Sequence, residues 1–234
     1  MKLYLVRHGR SAGNLPGRMT GWSDHPLTEV GIEQARRVAR RLAPLGPMPI
    51  VTSDLPRALE TARIIARRWP EGERLMTPDP RLREIKLGEF EGRSWDEFTA
   101  NAELAARFDT DPFTTPLPGG ESLAMVSERV VAAFGDALAS TAEAVAIVAH
   151  DSPIRAIVNH VLQVPPERHW ALSTSHGGLS LLEATEGWIS VRFLNDTSHL
   201  RGLDTTIDGT ADGEVPVRDI ERLADAQPEP EAER

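Results

Sequence analysis

The stretch "LVRHGRSAGN", residues 5–14, decides how the rest of the chain is read. It closes an apolar, partly β-branched run that starts at Lys2, the pattern of a buried strand, and Gly9 then releases the chain into a polar loop. A fixed cation, Arg7, stands directly before His8 and opposes protonation of the ring. Such a neighbour suits a resting general acid badly. It suits an unprotonated imidazole that attacks something anionic. The end of this strand therefore points to phosphate chemistry.

The loop after His8 runs to Pro26, and Thr28 is placed to cap a helix reaching Leu42. Ile32, Ala35, Val38, Ala39 and Leu42 fall on one face of that helix, with Arg36, Arg37, Arg40 and Arg41 mostly on the other, which reads as solvated. Residues 49–53 (PIVTS) form a second short strand. Asp54-Leu55-Pro56-Arg57 then opens a helix with Ala58, Thr61, Ala62, Ile65 and Ala66 turned to the core, Pro56 being well suited to a first turn. Between Pro70 and Pro118 the pattern is irregular and reads as a lid of loops with one short helix at Trp95. Next come a helix from Glu121 to about Ala139, a strand over 143–149 and a helix over 153–162, and residues 179–195 read as a hairpin turning at 184–187. Strands alternating with helical crossovers call for an α/β, three-layer sandwich: a mainly parallel sheet with helices on both faces.

Composition narrows the chemistry. With 234 residues the chain suits one large domain, taken as 1–203, and a polar tail over 204–234 is expected to be disordered. Net charge is −9, but the tail carries ten acidic residues against Arg218, Arg222 and Arg234, so the body is close to −2. No general basic face for nucleic acid is expected, and an anion site has to be a local group of arginines. No apolar stretch is long enough to cross a bilayer, and the N-terminal run is too short for a secretion signal, so a cytoplasmic protein is expected. The absence of cysteine excludes disulfides, thiolate zinc sites and cysteine nucleophiles. His25, His160, His169, His176 and His199 show no metal-ligand spacing, so no metal and no cofactor is expected; His176, before Gly177-Gly178, reads equally as a turn residue or a pocket border.

Three of these strands end on polar residues at their carboxyl ends, where open parallel sheets bind ligands: Arg7-His8, Ser53-Asp54 with Arg57 just beyond, and His150-Asp151. If the strands are neighbours, two histidines and two arginines surround one crevice, which matches the needs of a phosphoryl group.

The ordered set "LVRHGRSAGN", "MTGWSDHPLTEVGIEQA", "SDLPRALETA", "LREIKLGEFEG", "PGGES" and "VAHDSPIRAIV" resembles the histidine phosphatase superfamily, the phosphoglycerate mutase-like enzymes, over nearly all of residues 2–200. The resemblance implies that His8 forms a phosphohistidine while Arg7, Arg57 and His150 hold the phosphoryl oxygens, and that Glu84 serves as general acid and then base. It implies phosphate contact by Asn14 and a substrate-side loop at Thr20 and Gly21, with a small phosphorylated metabolite as partner. Asp151 departs from the glycine usual in this branch; in the acid phosphatase branch a His-Asp pair supplies the acid, so Asp151 is a second candidate for that role or a group that meets the substrate. The mutases resembled here have a tyrosine three residues after the acid and a basic pair further on; this chain has Leu87 and no paired arginines between Arg93 and Pro118, so water is the expected acceptor. A phosphoglycerate mutase and a catalytically idle phospho-ligand binder are the alternatives. A homodimer is compatible with the reading.

Overall fold

The computed structural model describes residues 1–14 and 17–203; the expected acidic tail lies outside the described residues. Its centre is a six-stranded sheet. The strands are β1 (Lys2–Arg7), β2 (Ile50–Thr52), β3 (Met76–Pro78), β4 (Ala144–Ala149), β5 (Leu179–Thr185) and β6 (Trp188–Asp196). Their order is β3-β2-β4-β1-β5-β6. The pairings β1–β4, β4–β2 and β2–β3 are parallel, and β5 and β6 extend the sheet antiparallel. The last two are joined through Glu186 and Gly187, both with positive φ, as a tight two-residue hairpin requires.

The helices are α1 (Glu29–Leu42), α2 (Pro56–Ala66), α3 (Trp95–Ala100), α4 (Ala102–Thr110), α5 (Leu123–Leu138) and α6 (Asp151–Leu162). Because side chains alternate along a strand, β1 sends Leu3 and Leu5 to one face and Tyr4 and Val6 to the other. The first face packs on Val126, Val130 and Phe134 of α5 and Ile154 and Ile157 of α6. The second packs on Val38 and Leu42 of α1 and Ala58, Ala62 and Ile65 of α2. This is the expected three-layer arrangement, and the continuous apolar runs of β1 and β4 are explained by burial on both sides. Among the described residues, no helix is long and apolar enough to cross a membrane.

Several boundaries differ from the sequence expectation. The helix expected from Glu121 begins at Leu123, because the Ser122 hydroxyl accepts from Met125 N and caps it. The helix expected from Pro153 already begins at Asp151, since a proline is tolerated within a first turn. Two elements within the expected lid are additional: β3, a short half-exposed edge strand, and α4. Within the segment, Leu87, Phe90, Phe98, Leu104 and Leu117 form a separate apolar cluster.

The loop after β1 is pressed onto the first turn of α1 by two glycines. A Cβ on Gly9 would lie 2.2 Å from the Gly31 carbonyl oxygen, and one on Gly31 would lie 2.0 Å from that of Arg10. Backbone meets backbone here, so nothing flexible can yield. Gly31→Ala is expected to lower stability by about 3 kcal/mol, at the upper end of overpacking costs, measured by denaturant unfolding. Wild-type stability in that variant would contradict this packing.

Candidate active site

The parallel register brings three strand ends side by side. His8 N donates to Ala149 O at 2.9 Å and Ser53 N donates to Val148 O at 2.9 Å, so His8, Ser53 and His150 leave the sheet as neighbours. The His8 and His150 ring centroids are 4.9 Å apart. His8 is 2 % exposed and His150 is fully buried.

Hydrogen bonds fix how the His8 ring is protonated. Its Nδ1 lies 2.6 Å from Gly9 O, a carbonyl that can only accept, so Nδ1 carries the proton. Nε2 keeps its lone pair and accepts from Arg57 Nε at 3.3 Å. Burial, then Arg57, then His176 and Arg7 hold the His8 pKa well below the ordinary histidine value. The sequence singles out Arg7 as the cation that keeps the ring neutral; burial and Arg57 outrank it, because Arg57 touches the ring directly. His150 is held neutral in the same way, by burial and then Arg57. Its Nε2 lies 2.8 Å from Ser53 Oγ. With the Ser53 hydroxyl donating, His150 Nδ1 carries the ring proton.

Arg57, at the second position of α2, is 1 % exposed and is aimed by carbonyls of the loop over 20–24: Nη2 donates to Gly21 O at 2.7 Å and Nη1 to Ser23 O at 3.1 Å. That loop is held in turn by Glu91, whose carboxylate accepts from Gly21 N, Trp22 N and the Ser23 hydroxyl. Gly21 is required there, since a Cβ would come within 2.5 Å of Ile85 O. Arg7 donates through Nη1 to Thr174 O. Arg7 Nε and His150 Nδ1 are among the buried nitrogens that have no hydrogen-bond partner within the described residues. Unsatisfied donors of this kind call for a reason, and an anion is the simplest one.

Glu84 is 9 % exposed and lies at the N-terminus of α6, where its Oε1 accepts from Ser152 N at 3.3 Å and from Ile85 N at 2.8 Å. Its backbone is fixed from both sides: Trp22 Nε1 and Arg129 Nη2 donate to Glu84 O at 2.7 and 2.9 Å. The Trp22 ring carries the Arg83 guanidinium 4.5 Å from its centroid and the Lys86 ammonium 5.5 Å away.

The other expected residues also make contacts within the protein. Asn14 Oδ1 accepts from Ser11 N and the Ser11 hydroxyl, at 2.9 and 2.8 Å, and so braces its own loop. Thr20 donates through its hydroxyl to Gly13 O at 2.6 Å. Asp151 has both oxygens engaged: Oδ1 accepts from the Thr174 hydroxyl at 2.6 Å and faces Arg7 at 3.7 Å, while Oδ2 is 2.8 Å from Arg155 Nε. Burial works to raise its pKa, but Arg7, Arg155 and the Thr174 hydroxyl outweigh it and hold the carboxyl below its ordinary value. An acid held ionised between two guanidinium groups is a poor proton donor at neutral pH.

Two participants, Thr174 and Arg155, escape the sequence reading, and Ser53 enters it only as a strand end. The hydroxyls of Ser53 and Thr174 carry no spacing signal. Arg155, 2 % exposed, is legible in principle, because it stands one helical turn after Asp151. His176, open between turn and pocket on sequence alone, is buried with its ring centroid 5.3 Å from that of His8.

Known proteins share this fold. The model of the histidine phosphatase superfamily (branch 1) matches residues 3–197. The "Probable phosphoglycerate mutase GpmB" of Yersinia pestis is 34% identical over 208 residues, covering 86% of this chain and 95% of its own. Among solved structures, the alpha-ribazole phosphatase from Shigella flexneri superposes with a TM-score of 0.74 at 26% identity, covering 84% of this chain and 96% of that one. The mycobacterial glucosyl-3-phosphoglycerate phosphatase solved with VO3 gives 0.72 at 30% identity, covering 84% and 99%.

The lowered Asp151 pKa has a thermodynamic consequence. A carboxyl depressed by folding adds stability above its unfolded pKa of about 3.9, and that contribution is lost as pH falls through the lowered folded value. Wild type is therefore expected to exceed Asp151→Asn in stability at about pH 7, with the gap closing below about pH 4. A gap independent of pH in paired urea titrations would show that Asp151 is not held as described.

Proposed function

The chain belongs to branch 1 of the histidine phosphatase superfamily, and on that footing we propose that it is a metal-independent phosphatase that hydrolyses small organic phosphomonoesters through a phosphohistidine at His8. One observation carries the reading: a neutral, Nδ1-protonated His8 turns its unprotonated Nε2 to the Arg57 guanidinium, with the His150 ring centroid 4.9 Å away, at the strand end that also carries Arg7. A nucleophile with donors around it suits in-line attack on phosphorus, where little is needed beyond positioning and charge.

In the first step the Nε2 lone pair bonds to phosphorus as the P–O ester bond breaks. Arg7, Arg57 and His150 hold the non-bridging oxygens, and Glu84, protonated, gives its proton to the departing alkoxide. In the second step the Glu84 carboxylate takes a proton from water, the resulting oxygen bonds to phosphorus, and the P–N bond breaks to return neutral His8 and free phosphate. Glu84 rather than Asp151 takes the acid role because both Asp151 oxygens are bound to Arg155, Thr174 and Arg7. Asn14 contacts the phosphate, Thr20 and Gly21 shape the loop that orients Arg57 and lines the substrate side, and Asp151 acts on the phosphate through Arg7. The protein works in the cytoplasm on a phosphorylated metabolite, as a body of residues 1–203 with the acidic segment appended.

A mutase reading is favoured by the name of the Yersinia relative. Against it, Leu87 stands where the mutases resembled have tyrosine, and it is buried in the apolar cluster with Phe90, Phe98, Leu104 and Leu117. With 3-phosphoglycerate the expected product is free phosphate; 2-phosphoglycerate in its place would make the chain a mutase.

Hydrolysis of p-nitrophenyl phosphate should fall at least about a thousandfold in His8→Ala. Glu84→Gln should lose about a hundredfold or more on a substrate with a poor leaving group and less on p-nitrophenyl phosphate, which departs with little protonation. Full activity in His8→Ala would remove the nucleophile from the account, and full activity of Glu84→Gln on both substrates would remove the acid.

A further inference from the structure

On the side of α1 away from the core, Arg37, Arg40 and Arg41 line an open concavity together with His199. The surface has an excess of positive charge. A single carboxylate, Glu33, is shared by Arg36, Arg37 and Arg40 at 3.9, 3.2 and 2.8 Å, and Arg36 and Arg40 keep 62% and 54% of their side chains exposed. Arg41 is paired with Asp196. The last described residues lie beside this surface and are fastened to it: Arg37 Nη1 donates to the carbonyls of His199 and Arg201 at 3.4 and 2.8 Å, and Leu203 N donates to Leu200 O at 3.0 Å.

The sequence beyond Leu203 is complementary in sign. Asp204, Asp208, Asp212 and Glu214 come within the next eleven residues with no lysine or arginine among them. At about 3.3 Å per residue those eleven residues can span about 36 Å. The fourteen residues of α1 rise only about 21 Å. The segment is therefore long enough to track the whole arginine face from its point of attachment. Tethering keeps its effective concentration high, which lets weak, solvent-screened ion pairs add up.

We propose that the arginine face of α1 is a docking surface for the chain's own acidic segment, residues 204–214, held by Arg36, Arg40 and Arg41 beside His199. The His199 end of this face lies one layer behind the catalytic turn, because His199 Nε2 donates to Gly177 O at 2.9 Å and Gly177 N donates to the carbonyls of Arg7 and His8. This surface is separate from the phosphate site, and the proposal does not depend on the activity.

The chain has no cysteine, so Thr210→Cys gives a single attachment point for a nitroxide on the full-length protein. Isotope-labelled protein carrying it should show selective broadening of the Arg40, Arg41 and His199 NMR signals at low salt. The broadening should be lost when salt rises from about 0.01 M to about 1 M, which shortens the screening length from about 30 Å to about 3 Å. It should be lost equally when Asp204→Asn, Asp208→Asn, Asp212→Asn and Glu214→Gln are combined. Three results would overturn the proposal: no selective broadening at low salt, broadening unchanged by removing the four charges, or broadening seen only when spin-labelled unenriched protein is mixed with unlabelled enriched protein, which would place the segment on a second copy.

Discussion

Burial of an uncharged imidazole against a guanidinium is the constraint on which the rest of the structure depends. His8 sits in the interior with Arg57 Nε 3.3 Å from its Nε2, and a positive charge on the ring would meet both desolvation and direct repulsion. The ring is therefore a lone-pair donor by construction, and its other nitrogen is committed to Gly9 O. Much of the surrounding architecture serves to hold Arg57 in this unfavourable place. Carbonyls of Gly21 and Ser23 receive its outer nitrogens, Glu91 ties those carbonyls' loop together, and the glycine pair at 9 and 31 lets the loop after β1 lie flat on α1.

The sheet supplies the second requirement, convergence. Because β4 lies between β1 and β2, the residues that come after each strand emerge in one row, and side chains far apart in sequence meet without any special loop. Charge is balanced across that row. Arg7 and Arg57 face inward, Glu84 stands at the N-terminus of α6, and Asp151 is drawn away from proton chemistry by Arg155 and Thr174. The departure from glycine at position 151 thus adds a fixed negative charge that steadies Arg7 from behind.

How much of this is legible in the sequence depends on the kind of signal. β1 and β4 are readable because burial on both faces forces continuous apolar runs, and α1 because Thr28 and a regular apolar stripe mark it. β3 is not: Met76-Thr77-Pro78 is short, at the sheet edge and half exposed, so it has neither an apolar run nor alternation. α4 escapes because its apolar face covers only a small satellite cluster rather than the main core. At the site, charged residues at strand ends are visible as motifs. The hydroxyls of Ser53 and Thr174, which set a tautomer and hold a carboxylate, are not, since a single serine or threonine has many structural uses.

The protonation state of the His8 ring decides the chemistry of the site, and nitrogen NMR of the imidazoles reads it directly. Long-range 15N–1H correlation of assigned His8 should show a neutral ring protonated on Nδ1, with Nε2 unprotonated at neutral pH and a titration midpoint below the ordinary histidine value of about 6.5. A midpoint at or above that value, or a proton on Nε2 at neutral pH, would contradict the account.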